Sequence, residues 1–228
     1  WKEELENALC SLVGDLKGSH LFERYGQGFS QGYQEKFNSH EAALDILEID
    51  KTFTKKSLQA HLREEKGKDK SHLQLKVYSI TGPISLSDIL PILKNMNLNV
   101  LTENPFTATR FDGQKIWIHD FEMQTRDKDP VYLKDMKANF LESFYGILRG
   151  VAENDGFNRL TLKADFTWRE CQLIRAYAKY IRQLQGTFSP TYMEEALVKH
   201  PLMCRLILQL FYCQFSPHYK KNRQKNRD

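Results

Sequence analysis

Cysteine is scarce in this sequence, and no two cysteines stand close together. The four cysteines among 228 residues include no Cys-x-x-Cys pair, which argues against both a zinc site and the disulfide framework of a small secreted domain. Three of the four lie among apolar residues in helical patterns, as small core side chains do. We therefore expect a reducing, cytoplasmic environment and no metal ligands in this chain.

Long apolar runs and export signals are also missing. No apolar stretch reaches the length of about 18 residues that a membrane-spanning helix requires, and no signal-peptide pattern stands at the N-terminus. The longest stretch, residues 206–215, is interrupted by Gln209 and Gln214, which favours a buried helix over a membrane span. The chain begins at Trp1, and we expect it to be a soluble piece excised from a longer polypeptide, without membrane contact.

Familiar catalytic signatures are absent as well. The sequence contains no G-x-S-x-G motif, no H-E-x-x-H pair and no P-loop, so the common hydrolase, metalloprotease and NTPase chemistries have no starting point. The adjacent carboxylates Glu64 and Glu65, like Glu194 and Glu195, do not have the spacing of three or four residues that brings side chains together on a helix. We expect no catalytic residues and no bound cofactor in this chain.

Two patterns resemble functional motifs but have the wrong spacing or geometry. Gly26, Gly28 and Gly32 have three residues before the last glycine and follow a helical pattern, whereas the dinucleotide fingerprint is G-x-G-x-x-G directly after a strand. His119 and Asp120 are neighbours in a predicted strand, where alternation points them to opposite faces and prevents an acid–base pair. We assign His119 and Asp120 a structural or strand-edge role.

The net charge of +4 is concentrated at the C-terminal end. The excess lies in residues 220–228, and a terminal run of this kind is typical of a solvated linker. The alternative is a nucleic-acid-binding module whose basic residues are Lys220, Lys221, Arg223, Lys225 and Arg227. No aromatic or glycine pattern of an RNA-binding module accompanies the tail, so this alternative ranks second.

An N-terminal helical segment is predicted over residues 1–53. Residues 1–16 place apolar side chains on one stripe of an amphipathic helix, formed by Leu5, Leu9, Leu12, Val13 and Leu16. Aromatic residues then recur at intervals of three or four, a spacing that helical turns would align on one face: Phe22, Tyr25, Phe29, Tyr33 and Phe37. We interpret them as core residues.

A small antiparallel sheet is predicted within residues 54–152. Alternating apolar residues indicate one strand at 58–62 and another at 73–77, and the charged segment 64–71 between them is typical of an exposed hairpin connection. Further strands are predicted at 98–101 and, after an Asp-Gly turn, at 116–123.

Two helices accompany these strands. The first follows the turn at Thr81-Gly82-Pro83, ends at Asn97 and presents an apolar face of Leu86, Ile89, Leu90, Leu93 and Met96. The second is a long amphipathic helix with apolar residues at Leu133, Met136, Phe140, Phe144, Ile147 and Val151. The resulting order is strand, helix, strand, strand, helix.

Residues 153–219 are predicted to form a helical motif. Thr167 and Glu170 have the spacing of a capping box, and Ser189 with Pro190 begins another helix. Residues 156–164 are compatible with a strand or a helix, and we favour a helix. The predicted fold class is therefore α+β, with helices on a small antiparallel sheet and helical parts at both ends, followed by the basic linker tail.

One loop is a candidate binding site. The residues from Thr81 to Ser85 connect a strand to the N-terminus of a helix, where free backbone amides can receive a carboxylate. Thr81, Gly82 and Ser85 are the candidate effector-binding residues, and the alternative is a plain turn.

Several short motifs together resemble the large bacterial NAD-specific glutamate dehydrogenases, in the region that precedes their catalytic domain. Six motifs occur in the family's order and at similar spacing over nearly the whole chain. They are Arg24-Tyr25-Gly26 with 33–37, residues 86–93, residues 116–121, residues 155–160, Trp168-Arg169-Glu170 with 175–180, and residues 192–197.

The resemblance implies an ACT-like layer in residues 54–152, a type of layer that in many metabolic enzymes mediates oligomer contacts or binds an amino-acid effector. It also implies a parent enzyme that uses NAD to convert L-glutamate to 2-oxoglutarate and ammonia, with the dinucleotide-binding fold elsewhere in the polypeptide. The expected partners are other domains and subunits of the same enzyme, in a homo-oligomer. The chain itself is then a non-catalytic regulatory or assembly segment.

Overall fold

The computed structural model describes residues 1–65, 67–184 and 188–216. Within this part the chain forms two compact units. The first unit comprises residues 1–86 and 100–124, and the second comprises residues 87–99 and the described residues from 125 onward. Helices and a four-stranded antiparallel sheet are both present, so the predicted α+β class is confirmed.

Four helices begin the first unit: α1 (Lys2–Val13), α2 (Asp15–Tyr25), α3 (Gln31–Lys36) and α4 (Ser39–Lys55). Local capping fixes two of their starts. The Ser30 hydroxyl accepts the Tyr33 N–H at the start of α3, and the Asn38 side chain accepts the Glu41 N–H at the start of α4.

The single helix expected over residues 1–16 is wrong at its C-terminal end. Gly14 adopts a φ of 88° and separates α1 from α2, because this backbone conformation cannot continue a right-handed helix. Leu5 and Leu9 are buried as expected, whereas Leu16 is 83% exposed and Leu12 is also exposed.

The sheet consists of β1 (Gln59–Glu64), β2 (His72–Ser79), β3 (Leu98–Thr109) and β4 (Lys115–Thr125), in the order β1-β2-β4-β3. The predicted β1–β2 pair is antiparallel, with Leu62 opposite Leu75, and β2 pairs antiparallel with β4. β3 is much longer than the four residues predicted for it, because it continues through a polar stretch that apolar alternation does not mark.

The aromatic series of residues 22–37 is part of the core of the first unit. Tyr25, Phe29, Tyr33 and Phe37 are buried, and the ring centroids of Phe29 and Tyr33 lie 4.5 Å apart. These residues do not share one helix, since Phe29 lies between α2 and α3 and forms a β-bridge with Ala108. The prediction of core packing is therefore correct, while the alignment on one continuous helix is wrong.

The second unit is built from helices: α5 (Leu86–Asn95, whose first residue belongs to the first unit), α6 (Leu133–Leu148), α7 (Leu160–Ala164), α8 (Trp168–Gln183), α9 (Pro190–Lys199) and α10 (Pro201–Phe215). A short 3₁₀ helix, Gly156–Arg159, precedes α7, so the segment 156–164 is helical. Thr167 and Glu170 form the predicted capping box, and Ser189 caps α9 with Pro190 in its first turn.

Some apolar residues assigned to buried helix faces are exposed. Val151 is 58% exposed because α6 ends at Leu148, and Leu86 and Leu90 of α5 are also exposed. The core of the last helices comprises Phe157, Leu160, Ala164, Phe166, Cys171, Ile174, Ala178, Met193, Val198, Cys204 and Leu208. None of the helices in the described part of the chain combines the length and apolar character that crossing a bilayer demands.

Candidate effector site

The candidate loop lies between the end of β2 and the start of α5. Thr81 and Ser85 are exposed, and Gly82 is partly buried with a φ of 148°, a backbone conformation that favours glycine. The Ser79 hydroxyl accepts the Thr81 N–H at 3.3 Å. The structure thus places all three predicted effector residues on one short connection whose shape depends on Gly82.

His119 of β4 holds this loop in place. The loop N–H of Ile84 donates to His119 Nε2 at 3.1 Å, and His119 Nδ1 lies 2.8 Å from Glu103 Oε1. Because Nε2 accepts, the imidazole proton is on Nδ1 and is donated to the Glu103 carboxylate. His119 is therefore a positioning residue for the loop.

Asp120 points away from His119, as alternation predicted. Its carboxylate accepts from the Gln74 side chain and lies 3.0 Å from Lys36 Nζ. The absence of a His119–Asp120 pair in the described structure confirms that part of the prediction. The strand-edge alternative is wrong, because β4 lies between β2 and β3.

The cavity nearest the loop has a volume of about 350 Å³ and belongs to the first unit. A separate cavity of about 490 Å³ belongs to the second unit. The cavity nearest the loop is lined by Ser30, Gly32, Pro83, Pro105, Phe106, Thr107, Trp117 and His119. Its volume is within the range of small-molecule pockets, and its walls are mainly aromatic and proline side chains. Pro83 is the loop residue among its lining, whereas Thr81, Gly82 and Ser85 are not. The cavity can accommodate an apolar group next to the loop.

A buried ionic cluster lies on the other side of the sheet's central strands. Asp45 of α4 accepts from the hydroxyls of Tyr33 and Tyr78 and lies 2.5 Å from Lys76 Nζ. Asp45 is 3% exposed and Lys76 is 2% exposed, and Lys76 Nζ also lies 3.4 Å from the centroid of the Phe37 ring. Sequence reasoning missed this cluster, since a lone Asp in an amphipathic helix gives no signal of its partners.

The pKa values in this cluster follow from burial. Burial, followed by the negative charge of Asp45, raises the pKa of Tyr33 and of Tyr78 well above the usual value. Burial lowers the pKa of Lys76, although the Asp45 carboxylate opposes that shift. Each of these groups already has a protein partner, and the cluster connects α3 and α4 to the sheet.

Two observations concern metals and reactive thiols. In residues 1–65, 67–184 and 188–216, no group of three or more His, Cys, Asp or Glu side chains is arranged to hold a metal ion. Burial raises the pKa of the Cys171 thiol to about 12 and that of Cys204 to about 11, so both are neutral, unreactive thiols near neutral pH. The basic tail, with the nucleic-acid alternative that depends on it, lies outside the described residues.

Comparison with known proteins gives three matches to domains of glutamate dehydrogenase, in chain order. Helical motif 2 matches residues 8–51, the ACT3 domain matches residues 57–136, and helical motif 3 matches residues 152–217.

Similar full-length proteins carry the name NAD-specific glutamate dehydrogenase. That of Pseudomonas aeruginosa is 32% identical over 215 residues, which are 94% of this chain. Those of Halomonas elongata and Mycobacterium tuberculosis are each 33% identical over 95% of this chain. The chain spans about 13% of the length of each of these relatives.

Proposed function

Because this chain belongs to the family of the large NAD-specific glutamate dehydrogenases, we propose that it is a non-catalytic regulatory and assembly segment of such an enzyme. The whole enzyme oxidises L-glutamate to 2-oxoglutarate and ammonia with NAD in the cytoplasm, as a homo-oligomer. The observation that carries this proposal is the ordered match to helical motif 2, ACT3 and helical motif 3. We place the boundaries of these parts near residues 53 and 152.

The buried polar groups support a structural role. Asp45, Lys76 and Asp120 are almost fully buried and each is paired within the chain. Charges that are paired in this way are costly to separate and are not free to act on a substrate. Catalysis and NAD binding are therefore assigned to other parts of the enzyme.

The exposed apolar side chains of the last helices support an assembly role. Of the twenty large apolar side chains that are exposed in the described part of the chain, twelve lie between Tyr177 and Phe215. On α10, Leu202, Leu206 and Leu210 follow one another at intervals of four and form one exposed stripe. Such concentrations of apolar surface mark interaction sites.

The partner of the α10 stripe is the remainder of the same polypeptide. The chain spans about 13% of the relatives' length, so most of the enzyme's surface available for packing lies in its other domains. Helices with an apolar face of this kind pack against a second apolar element and exclude water between them. The alternative partner is a second copy of this chain, and the experiment below distinguishes the two partners.

The assembly role is tested with Leu206→Ser/Leu210→Ser in the full-length enzyme. Its matched control, Leu12→Ser/Leu16→Ser, also replaces two exposed leucines of one segment. We expect limited proteolysis to cleave the Leu206/Leu210 variant near α10 several-fold faster, and the control at the wild-type rate. Equal cleavage of both variants, or a dimer of the isolated 228-residue chain that the Leu206/Leu210 variant disrupts, would contradict the proposed partner.

We further propose that the loop 81–85 and the neighbouring cavity bind an amino-acid effector. The cavity walls, Phe106 and Trp117 among them, suit an apolar side chain. The charged end of an amino acid bound there would lie next to the loop, which contributes Pro83 to the lining. His119 connects the two parts, since it lines the cavity and accepts the loop N–H of Ile84.

Thermal unfolding of the 228-residue chain with single free amino acids tests this role, because a ligand that binds the folded state raises Tm. Gly32 lines the cavity, and a Cβ added there meets no atom within 4 Å. Gly32→Phe should therefore fill the cavity and abolish the rise in Tm, while Gly32→Ala should retain it. The role is ruled out if no amino acid raises the Tm of the wild-type chain, or if Gly32→Phe responds as fully as Gly32→Ala.

A further inference from the structure

A second, smaller cavity lies within the helical motif. Helix α8 contributes Arg175, Ala178, Lys179 and Arg182, whose spacing of three and four residues places them on one face. The other lining residues are Asp155, Phe157, Pro190, Met193 and Glu194. The cavity has a volume of about 70 Å³ and belongs entirely to the second unit.

The guanidinium of Arg175 is fixed in this cavity by hydrogen bonds on one side. Nε donates to Asp155 Oδ2 at 2.6 Å and Nη2 donates to Asp155 Oδ1 at 2.7 Å, a bidentate pair of strong geometry. Nη2 also donates to Asn158 Oδ1 at 3.0 Å. Arg175 is 2% exposed, so its orientation is set by these partners rather than by water.

The remaining nitrogen, Nη1, is buried and has no hydrogen-bond acceptor among the described residues. Arginine carries five N–H donors and remains charged in proteins, and a buried charged donor without an acceptor is unfavourable. Arg175 lines the cavity, so a group bound there can bring oxygen acceptors to its guanidinium.

The lining carries three basic side chains, Arg175, Lys179 and Arg182, and two acidic ones, Asp155 and Glu194. Asp155 neutralises Arg175, and Glu153 binds Lys179 through both carboxylate oxygens at 2.7 and 2.8 Å. The carboxylate of Glu194 lies 3.9 Å from the Arg159 guanidinium, so this acidic residue of the lining also has a basic partner. Arg182 adds a further positive charge to the lining.

The volume limits what can bind. Pockets for drug-sized ligands have volumes of about 300–1,000 Å³, so this cavity of about 70 Å³ suits a small group such as a carboxylate with one small carbon group. We propose that this cavity binds the carboxylate of a small organic acid, with the ligand's oxygens accepting hydrogen bonds from Arg175 Nη1 and its carbon atoms against Met193 and Ala178. The site is independent of the effector loop in the first unit.

The test is a titration of the 228-residue chain with sodium acetate, followed by ¹⁵N NMR of the arginine side chains, with sodium chloride at equal ionic strength as the ionic control. The account predicts a saturable shift of the Arg175 resonance in the millimolar range. Arg175→Lys removes Nη1 and should weaken binding at least about tenfold. Arg169→Lys is the matched control, since Arg169 lies on α8 but not in the cavity, and it should bind as the wild type does.

A second measurement does not depend on a variant that folds. In the wild-type chain the acetate methyl protons should give a nuclear Overhauser effect to the Met193 methyl group, which lines the cavity. The proposal is overturned if chloride reproduces the shift, if Arg175→Lys binds acetate normally, or if acetate gives no saturable shift because the cavity holds water alone.

Discussion

A single carboxylate, Asp45, connects one helix of the first unit to its sheet. It binds Lys76 and the hydroxyls of Tyr33 and Tyr78 away from solvent. The attraction between Asp45 and Lys76 adds little to the free energy of unfolding. Removing Asp45 alone is costly, since Lys76 would stay buried without a counter-charge. Charged residues at these positions are thus part of the fold, although their residue types alone resemble those of an active site.

Replacing Asp45 by Asn should destabilise the chain by about 3–5 kcal/mol, because Lys76 is left buried without its counter-charge. The double variant Asp45→Asn/Lys76→Met should recover part of this loss, because the uncompensated charge is then also removed. Asp135→Asn, an exposed aspartate of α6, is the control and should change stability by less than about 0.5 kcal/mol. Urea unfolding measures all three, and equal stability of Asp45→Asn and Asp135→Asn would contradict the structural role.

The stability of the chain should fall as pH rises above about 10. Burial raises the pKa of Tyr33 and Tyr78 well above the usual value, so the folded state keeps both protons while the unfolded state loses them near pH 10. The stabilisation is fully present below that pH and is lost above it. Tyrosinate absorbance and the free energy of urea unfolding, measured over the same pH range, check this loss of stability. Tyr33→Phe should flatten the loss, whereas Tyr180→Phe, at an exposed site, should not.

At the residue scale the sequence predicted orientation but not partners. Strand alternation correctly separated His119 from Asp120, yet the partners of His119 come from β3 and the loop, and those of Asp120 come from β2 and α3. Such contacts depend on the strand order and on helix placement, which no local pattern encodes.

The glycines of residues 26–32 illustrate how an element junction depends on close backbone contact. A Cβ at Gly28 would overlap the carbonyl oxygen of Thr109, while one at Gly32 would meet no atom within 4 Å. Thr109 N–H donates to Gly28 O at 3.0 Å beside the Phe29–Ala108 bridge. The glycine that resembles part of a nucleotide motif is therefore required for the contact between the α2–α3 connection and β3.

Gly28→Ala should destabilise the chain by about 1–3 kcal/mol, because the added methyl group forces the two backbones apart. Gly32→Ala should be neutral or stabilising by up to about 1 kcal/mol, since it lies in α3 and alanine favours a helix. Thermal unfolding of the two variants gives the comparison. A Gly28→Ala chain as stable as Gly32→Ala would show that the close contact does not constrain the junction.

At the element scale, local chemistry made the helix starts at Thr167 and Ser189 predictable, because the caps are encoded within four residues. The break at Gly14 and the full length of β3 were missed. An isolated glycine is compatible with a continuing helix, and β3 is extended by pairing with β4 rather than by its own alternation.

At the scale of the whole molecule, the chain combines internally paired charges with apolar helix surface that remains exposed. That combination suits a segment that packs against other domains. The family could be predicted from six short motifs in order, whereas the arrangement into two compact units could not, because residues 87–99 join a unit formed mainly by residues far along the chain.

The most direct test of the proposed role is NADH formation from L-glutamate and NAD in three samples. They are the 228-residue chain, a relative's enzyme from which the matching segment has been deleted, and a mixture of the two. We predict no NADH from the chain, little from the shortened enzyme, and a substantial recovery in the mixture. Turnover by the chain alone, or full activity of the shortened enzyme without it, would contradict a non-catalytic segment needed for assembly.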